Sequence, residues 1–124
     1  MRCPCRKKSE TTTYDACCAP YHRGARPAPT AEALMRSRYA AFAMGNADYL
    51  MATWHPSTRP ATLALTPGQA WIALRVIATR TDGERATVRF NARSRIGGQG
   101  HVLEETSRFV REDGRWYYVD GEIA

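Results

Sequence analysis

The chain has 124 residues, 44% of them hydrophobic, and a formal charge of +6 at neutral pH. That length suits one domain with a real hydrophobic core, and no run approaches the ~18 apolar residues of a membrane span. The amino terminus passes directly into polar residues without the apolar stretch of a secretory signal. This points to the cytosol, where clustered thiols are more often metal ligands than disulfides.

Sixteen of the 18 basic residues are arginine. They are spread along the chain rather than gathered in one block. The charge excess is therefore a weak argument for RNA or ribosome association, although it can favour anionic partners.

All 4 cysteines fall at the amino terminus, as Cys3-Pro4-Cys5 and Cys17-Cys18. Four thiolates suffice for a closed tetrahedral zinc site, with paired ligands on either side of a short loop. The spacing within each pair is tighter than the usual two intervening residues. Adjacent cysteines can both ligate only if the backbone turns sharply, so His22 is an alternative ligand. The competing reading is a frayed, reduced tail. No helical or strand period is visible over residues 1–22, and the prolines and glycine of residues 23–29 read as a linker.

A helix follows, with Thr30 as its cap, Glu32 in its first turn and Gly45 as its stop. Ala31, Leu34, Met35 and Phe42 share one face, and Arg38 lies inside that face rather than opposite it. Asn46 caps a second, shorter helix from Ala47 to about Trp54. Residues 55–70 are rich in proline, with a brief strand or turn expected at Ala61–Leu65.

From Trp71 the period changes to two. Trp71–Arg80 reads as a buried strand, Thr81-Asp82-Gly83-Glu84 as a tight hairpin, and Arg85–Arg95 as an alternating strand with Val88 and Phe90 inward. Residues Ile96 to Gly100 form a glycine-rich reversal, His101–Arg111 returns, and Asp113-Gly114 turns into Trp116–Val119. On the third strand Leu103, Glu105, Ser107 and Phe109 share a face. Helices first and strands after is the α+β order: helices packed on a curved antiparallel sheet of four to five strands.

The segments Cys3-Pro4-Cys5 and Tyr14-Asp15-Ala16-Cys17-Cys18 resemble the SEC-C motif, a small zinc-binding knuckle. Ala33-Leu34-Met35-Arg36-Ser37-Arg38-Tyr39, Thr53-Trp54-His55-Pro56-Ser57-Thr58-Arg59-Pro60 and Trp116-Tyr117-Tyr118-Val119-Asp120-Gly121 resemble the bacterial YchJ-like family, and the match spans nearly the whole chain. The resemblance implies a SEC-C-like knuckle over residues 1–22 and a domain of the nuclear transport factor 2-like fold over residues 30–124, in which a cone-shaped antiparallel sheet wraps against helices. It implies zinc on Cys3, Cys5, Cys17 and Cys18, and brings no assigned biochemical role. The knuckle departs from the motif in having no glycine after its second cysteine and a long spacer of residues 6–16. Lost positive-φ freedom predicts a looser knuckle.

A guanidinium facing the core must be paired or reach water. The expectation is an Arg38–Glu105 pair inside the cone, with Asp120 or a tyrosine hydroxyl nearby, and with Tyr39, Trp54 and His55 lining the same pocket. Asp48, His55, His101, Tyr39 and Glu105 are the acid–base candidates, but they form no dense catalytic motif. The leading expectation is a non-enzymatic binding or adaptor module. Its knuckle, joined as an appendage, offers Arg2, Arg6, Lys7 and Lys8 to a protein partner, while the cone supplies a ligand pocket or a dimer surface. The alternative is a small-molecule enzyme or receptor. An open interior with unpaired charges favours the alternative, and a filled one with Arg38 neutralised favours the adaptor.

Overall fold

The computed structural model describes every residue, Met1–Ala124. Three helices, α1 (Ala19–His22), α2 (Ala31–Met44) and α3 (Ala47–Ala52), precede four strands: β1 (Gln69–Asp82), β2 (Arg85–Ile96), β3 (Gln99–Glu112) and β4 (Arg115–Ile123). The strands form one antiparallel sheet in the order β1-β2-β3-β4. This is the meander expected from the alternation of inward and outward residues. No helix is long and apolar enough to cross a membrane.

Local chemistry accounts for the element boundaries. The Thr30 side chain accepts a hydrogen bond from the Ala33 amide, and Gly45 ends α2 in the left-handed region at φ 73°. The Asn46 side chain accepts from the Tyr49 amide at the start of α3. Each is a free backbone group satisfied at a helix end. The helix α3 stops at Ala52, two residues short of the sequence expectation, and Trp54 instead bridges β4 at Tyr118 in parallel. Residues 61–65, expected as a brief strand or turn, form neither and are irregular.

All three reversals are tight. Asp82 pairs with Arg85, Ile96 with Gln99 and Glu112 with Arg115, leaving two residues in each turn. The glycine-rich reversal is thus shorter than expected. Gly97 and Gly98 both take positive φ, as do Asp113 and Gly114. Two successive positive-φ residues match the right-handed twist of the flanking strands.

The inner face of the sheet carries Leu74, Val88, Phe90, Ala92, Phe109 and Trp116, packed against Ala31, Leu34, Met35, Tyr39 and Ala40 of α2. Leu34 and Leu50 are almost wholly buried, which contributes about 1.5–3 kcal/mol each. The strand β1 departs from its expected burial: only Leu74 is buried along its length. It is an edge strand with one partner, and register shifts leave Ile72 and Ile77 unpaired. The first shift brings Trp71 and Leu74 to the same inner face, so its apolar run records two bulges and not two covered faces.

The amino-terminal segment does not hang free. Its four cysteines belong to the same buried cluster as α2 and the inner sheet face. The Arg36 Nη1 donates to the Cys5 carbonyl at 3.0 Å, and His22 Nε2 meets the Ser37 carbonyl at 2.8 Å. The knuckle is seated on α2, not tethered as the expected appendage.

Candidate metal centre and interior cavity

Two short backbone devices bring the thiols together. Arg2 pairs with Thr13 in an antiparallel bridge, with Cys3 N bonded to Thr12 O at 3.0 Å and Tyr14 N to Met1 O at 2.9 Å. This ribbon closes the spacer. Cys17 and Ala19 both donate their amides to Tyr14 O. Pro20 then opens the single-turn helix α1, for which Cys18 is the cap. That is the sharp turn that adjacent cysteines need. No residue before Gly24 takes a positive φ, so the missing glycines cost this knuckle nothing. The backbone of this knuckle therefore does not call on the positive-φ freedom that glycines there would supply.

The four sulfurs lie within 4.8 Å of one another, and all four residues are buried. Cys5–Cys17, Cys5–Cys18 and Cys17–Cys18 are separated by 3.6, 3.7 and 3.9 Å. Sulfurs about 2.3 Å from a common tetrahedral centre stand about 3.8 Å apart, so the donor set fits a metal ion. Thiol hydrogen bonds to Cys3 and Cys5, together with burial, hold the Cys18 thiol far above its ordinary value. Hydrogen bonds from Cys18 and Cys5 lower Cys3 correspondingly. Four thiolates can coexist in this volume only around a positive centre. Around the sulfurs, Arg6 Nε donates to Cys17 Sγ at 3.3 Å, the outer support that orients a ligand.

His22, the alternative ligand, is committed elsewhere. Its Nδ1 lies 2.7 Å from the Tyr14 hydroxyl and its Nε2 2.8 Å from the Ser37 carbonyl. A carbonyl only accepts, so Nε2 carries the proton and Nδ1 accepts from Tyr14. Its ring also packs 4.6 Å from Tyr49.

On the other side of α2 lies a cavity of about 310 Å³ between the helices and the sheet. Arg38 and Tyr39 reach it from α2, Trp54 from beyond α3, and Glu105 and Ser107 from β3. Arg38 is 6% exposed. Its partners differ from those expected. Its Nη1 donates to Leu50 O at 2.8 Å and to Thr53 Oγ1 at 2.7 Å, and its guanidinium carbon lies 4.5 Å from the Tyr118 ring centre and 5.3 Å from that of Trp54. The Leu50 carbonyl and the Thr53 hydroxyl at the end of α3, with two aromatic faces, hold the cation, and the expected ion pair with Glu105 does not form. Burial lowers the guanidinium to about 10, while Tyr118, Tyr49 and Glu105 pull it back up. It stays charged at neutral pH.

Glu105 takes its hydrogen bond from the Ser107 hydroxyl and rests on Gly121, where any added side chain would strike its carboxylate. Asp120 is not near Arg38. A register shift between Arg108 and Phe109 turns it to the outer face, where it accepts from Arg108. His55 is not in this cavity either. It bonds to Ser57 Oγ at 2.7 Å and Glu112 at 2.8 Å and packs on Tyr117. His101 and Asp48 are exposed. The proposed acid–base groups are thus dispersed, with only Tyr39 and Glu105 on the cavity.

Sequence reasoning missed Gly121, Thr53 and Tyr118 as neighbours of these charges. Alternation on β3 already placed Ser107 beside Glu105. The others depend on strand register and on the course of residues 53–55, for which no local signal exists.

Comparison with known proteins agrees with this architecture. The family model described as the middle, NTF2-like domain of YchJ matches residues 30–121. A UPF0225 protein of Polaromonas naphthalenivorans is 49% identical over 130 residues, covering 97% of this chain and 96% of that protein. One from Chromobacterium violaceum is 53% identical over 116 residues, covering 88% and 86%. The solution structure of a SEC-C motif containing protein from Rhodopseudomonas palustris is similar with a TM-score of 0.88 at 38% identity, covering 100% of this chain and 99% of that one. The crystal structure of a SEC-C motif containing protein from Psychrobacter arcticus gives 0.80 at 28% identity, covering 98% and 82%.

Proposed function

The chain belongs to the UPF0225, or YchJ-like, family, and from that premise we propose that it is a non-enzymatic binding protein built around a structural zinc knuckle. The carrying observation is the closed set of four buried sulfurs at tetrahedral spacing. Four protein ligands leave no open position for a substrate or an activated water, so the zinc braces and does not catalyse. Metal content of protein purified without added metal tests this. One zinc per chain is expected, and none in a Cys17→Ala/Cys18→Ala variant. Absence of metal from both would remove the proposal.

A second reading concerns what is bound. The knuckle leaves Arg2, Lys7 and Lys8 exposed to an anionic protein partner, but Arg6 is tied to Cys17 and Glu10. The cavity favours a small ligand instead, because it is open space bordered by a buried cation with no carboxylate partner. On this reading the protein is a small-molecule receptor whose helix α2 is held in place by the knuckle.

A further inference from the structure

We infer that the interior cavity binds a small, largely apolar carboxylic acid, with its carboxylate against the Arg38 guanidinium. This rests on the cavity being a ligand pocket, the second reading above, and adds the chemical class of the ligand.

The charge argument is specific to Arg38. The arginines that find carboxylates do so where their side chains are partly exposed, as in Arg36–Glu32, Arg108–Asp120 and Arg111–Glu84. Arg38 is the buried one, and it has none. Burying an unpaired guanidinium is costly, and Leu50 O and Thr53 engage only one of its nitrogens. Its planar fork matches a carboxylate in two-point fashion, which an amide or alcohol does not.

The surrounding wall supports the same class. Tyr39 Oη and Trp54 Nε1, on two residues that line the cavity, are buried with no hydrogen-bond partner. Arg38 already covers two of the aromatic faces on the cavity, those of Trp54 and Tyr118, and its charge repels an organic cation from the rest. Glu105, the one carboxylate on the cavity, gives an acceptor for a hydroxyl or amino group elsewhere on the ligand.

Size and polarity set the rest of the molecule. Met35, Phe42, Trp71, Phe90 and Leu103 make the remaining wall mainly apolar, with Gln69 as a polar exception, which calls for a largely apolar body. The volume, about 310 Å³, is roughly twice that of the ~150 Å³ engineered cavity that accepts benzene. A bicyclic body fits that space.

The test titrates the full-length protein with three probes of one shape: naphthoate, naphthamide and naphthylmethylammonium. Calorimetry and quenching of Trp54 and Trp71 fluorescence report binding. Naphthoate is expected to bind at least about tenfold more tightly than the amide, with the ammonium weakest. Arg38→Met should erase the preference and Arg38→Lys should keep part of it. Leu103→Trp, which fills the cavity with Arg38 intact, should block all three. Should Arg38→Met not fold, a selective loss of naphthoate affinity in Arg38→Lys decides in its place. Equal affinity for acid and amide, or a preference that survives Arg38→Met, overturns the carboxylate assignment and leaves the pocket standing. Binding undiminished in Leu103→Trp, or no binding of any probe, overturns the pocket itself.

Discussion

Arg36 donates from Nη1 to the carbonyl oxygen of Cys5 at 3.0 Å and from Nε to Glu32 at 3.0 Å. One side chain of the long helix thereby holds the backbone of the first cysteine pair. A charge-assisted bond to a carbonyl of this kind is worth more than an exposed ion pair. Arg36→Ala should therefore lower stability by about 1–2 kcal/mol, and Glu32→Ala by no more than about 0.5 kcal/mol. Urea denaturation of both variants checks this, and equal losses would show that the Cys5 contact contributes nothing.

Because the cysteines share the core of α2 and the sheet, metal and fold should be lost together. Stripping the metal with a chelator, or Cys17→Ala/Cys18→Ala, should lower the melting temperature by about 10 °C or more, since metal binding free energy adds to folding free energy. Circular dichroism of the sheet and tryptophan fluorescence should report one shared transition. Two separate transitions would mean that the knuckle melts by itself.

Gly121 faces Ser107 across β3 and β4, and a side chain there collides with the Glu105 carboxylate. Its φ is ordinary, so the cost of substitution is steric. Gly121→Ala should destabilise by about 1–3 kcal/mol. Glu105→Ala should relieve most of that loss in the double variant, giving a measurable coupling energy. Additive losses would place the Glu105 side chain elsewhere.

Burial raises the Tyr39, Tyr49 and Tyr118 hydroxyls from 10 to about 12. Unfolded, they lose their protons near pH 10. Between those values the folded state holds protons that the unfolded state has released. Stability from these groups is thus complete below pH 10 and is lost as pH rises through about 12. Arg38, lowered to about 10 by burial, acts in the opposite sense over the same range, but it is one group against three. The denaturation midpoint should fall above pH 10. Of the 6 tyrosines, some should ionise only on unfolding when followed by ultraviolet absorbance. Ordinary titration of all of them would contradict the burial.

Much of the fold could be read directly. Thr30, Gly45 and Asn46 mark their helix ends through bonds to residues at most four positions away, and Val88, Phe90, Glu105 and Ser107 show their face by alternation alone. The strand β1 was less legible, because Ile72 and Ile77 interrupt its period at bulges that only pairing with β2 reveals. The partners of Arg38 were not legible at all. They come from the end of α3, from Trp54 and from β4, and the last of these is brought in by a bridge between Trp54 and Tyr118.

By itself, then, the sequence determined the helix-then-meander order, two of the three tight turns and the candidate four-cysteine ligand set, since each depends on conformations and spacings local to a few residues. Tertiary structure alone decided that the knuckle is seated on α2, that Arg38 and Glu105 share a cavity without pairing, and that Asp120 and His55 face away from it. Those outcomes follow from strand register and from packing between distant segments, where a shift of a single residue turns a side chain from the interior to the outer face.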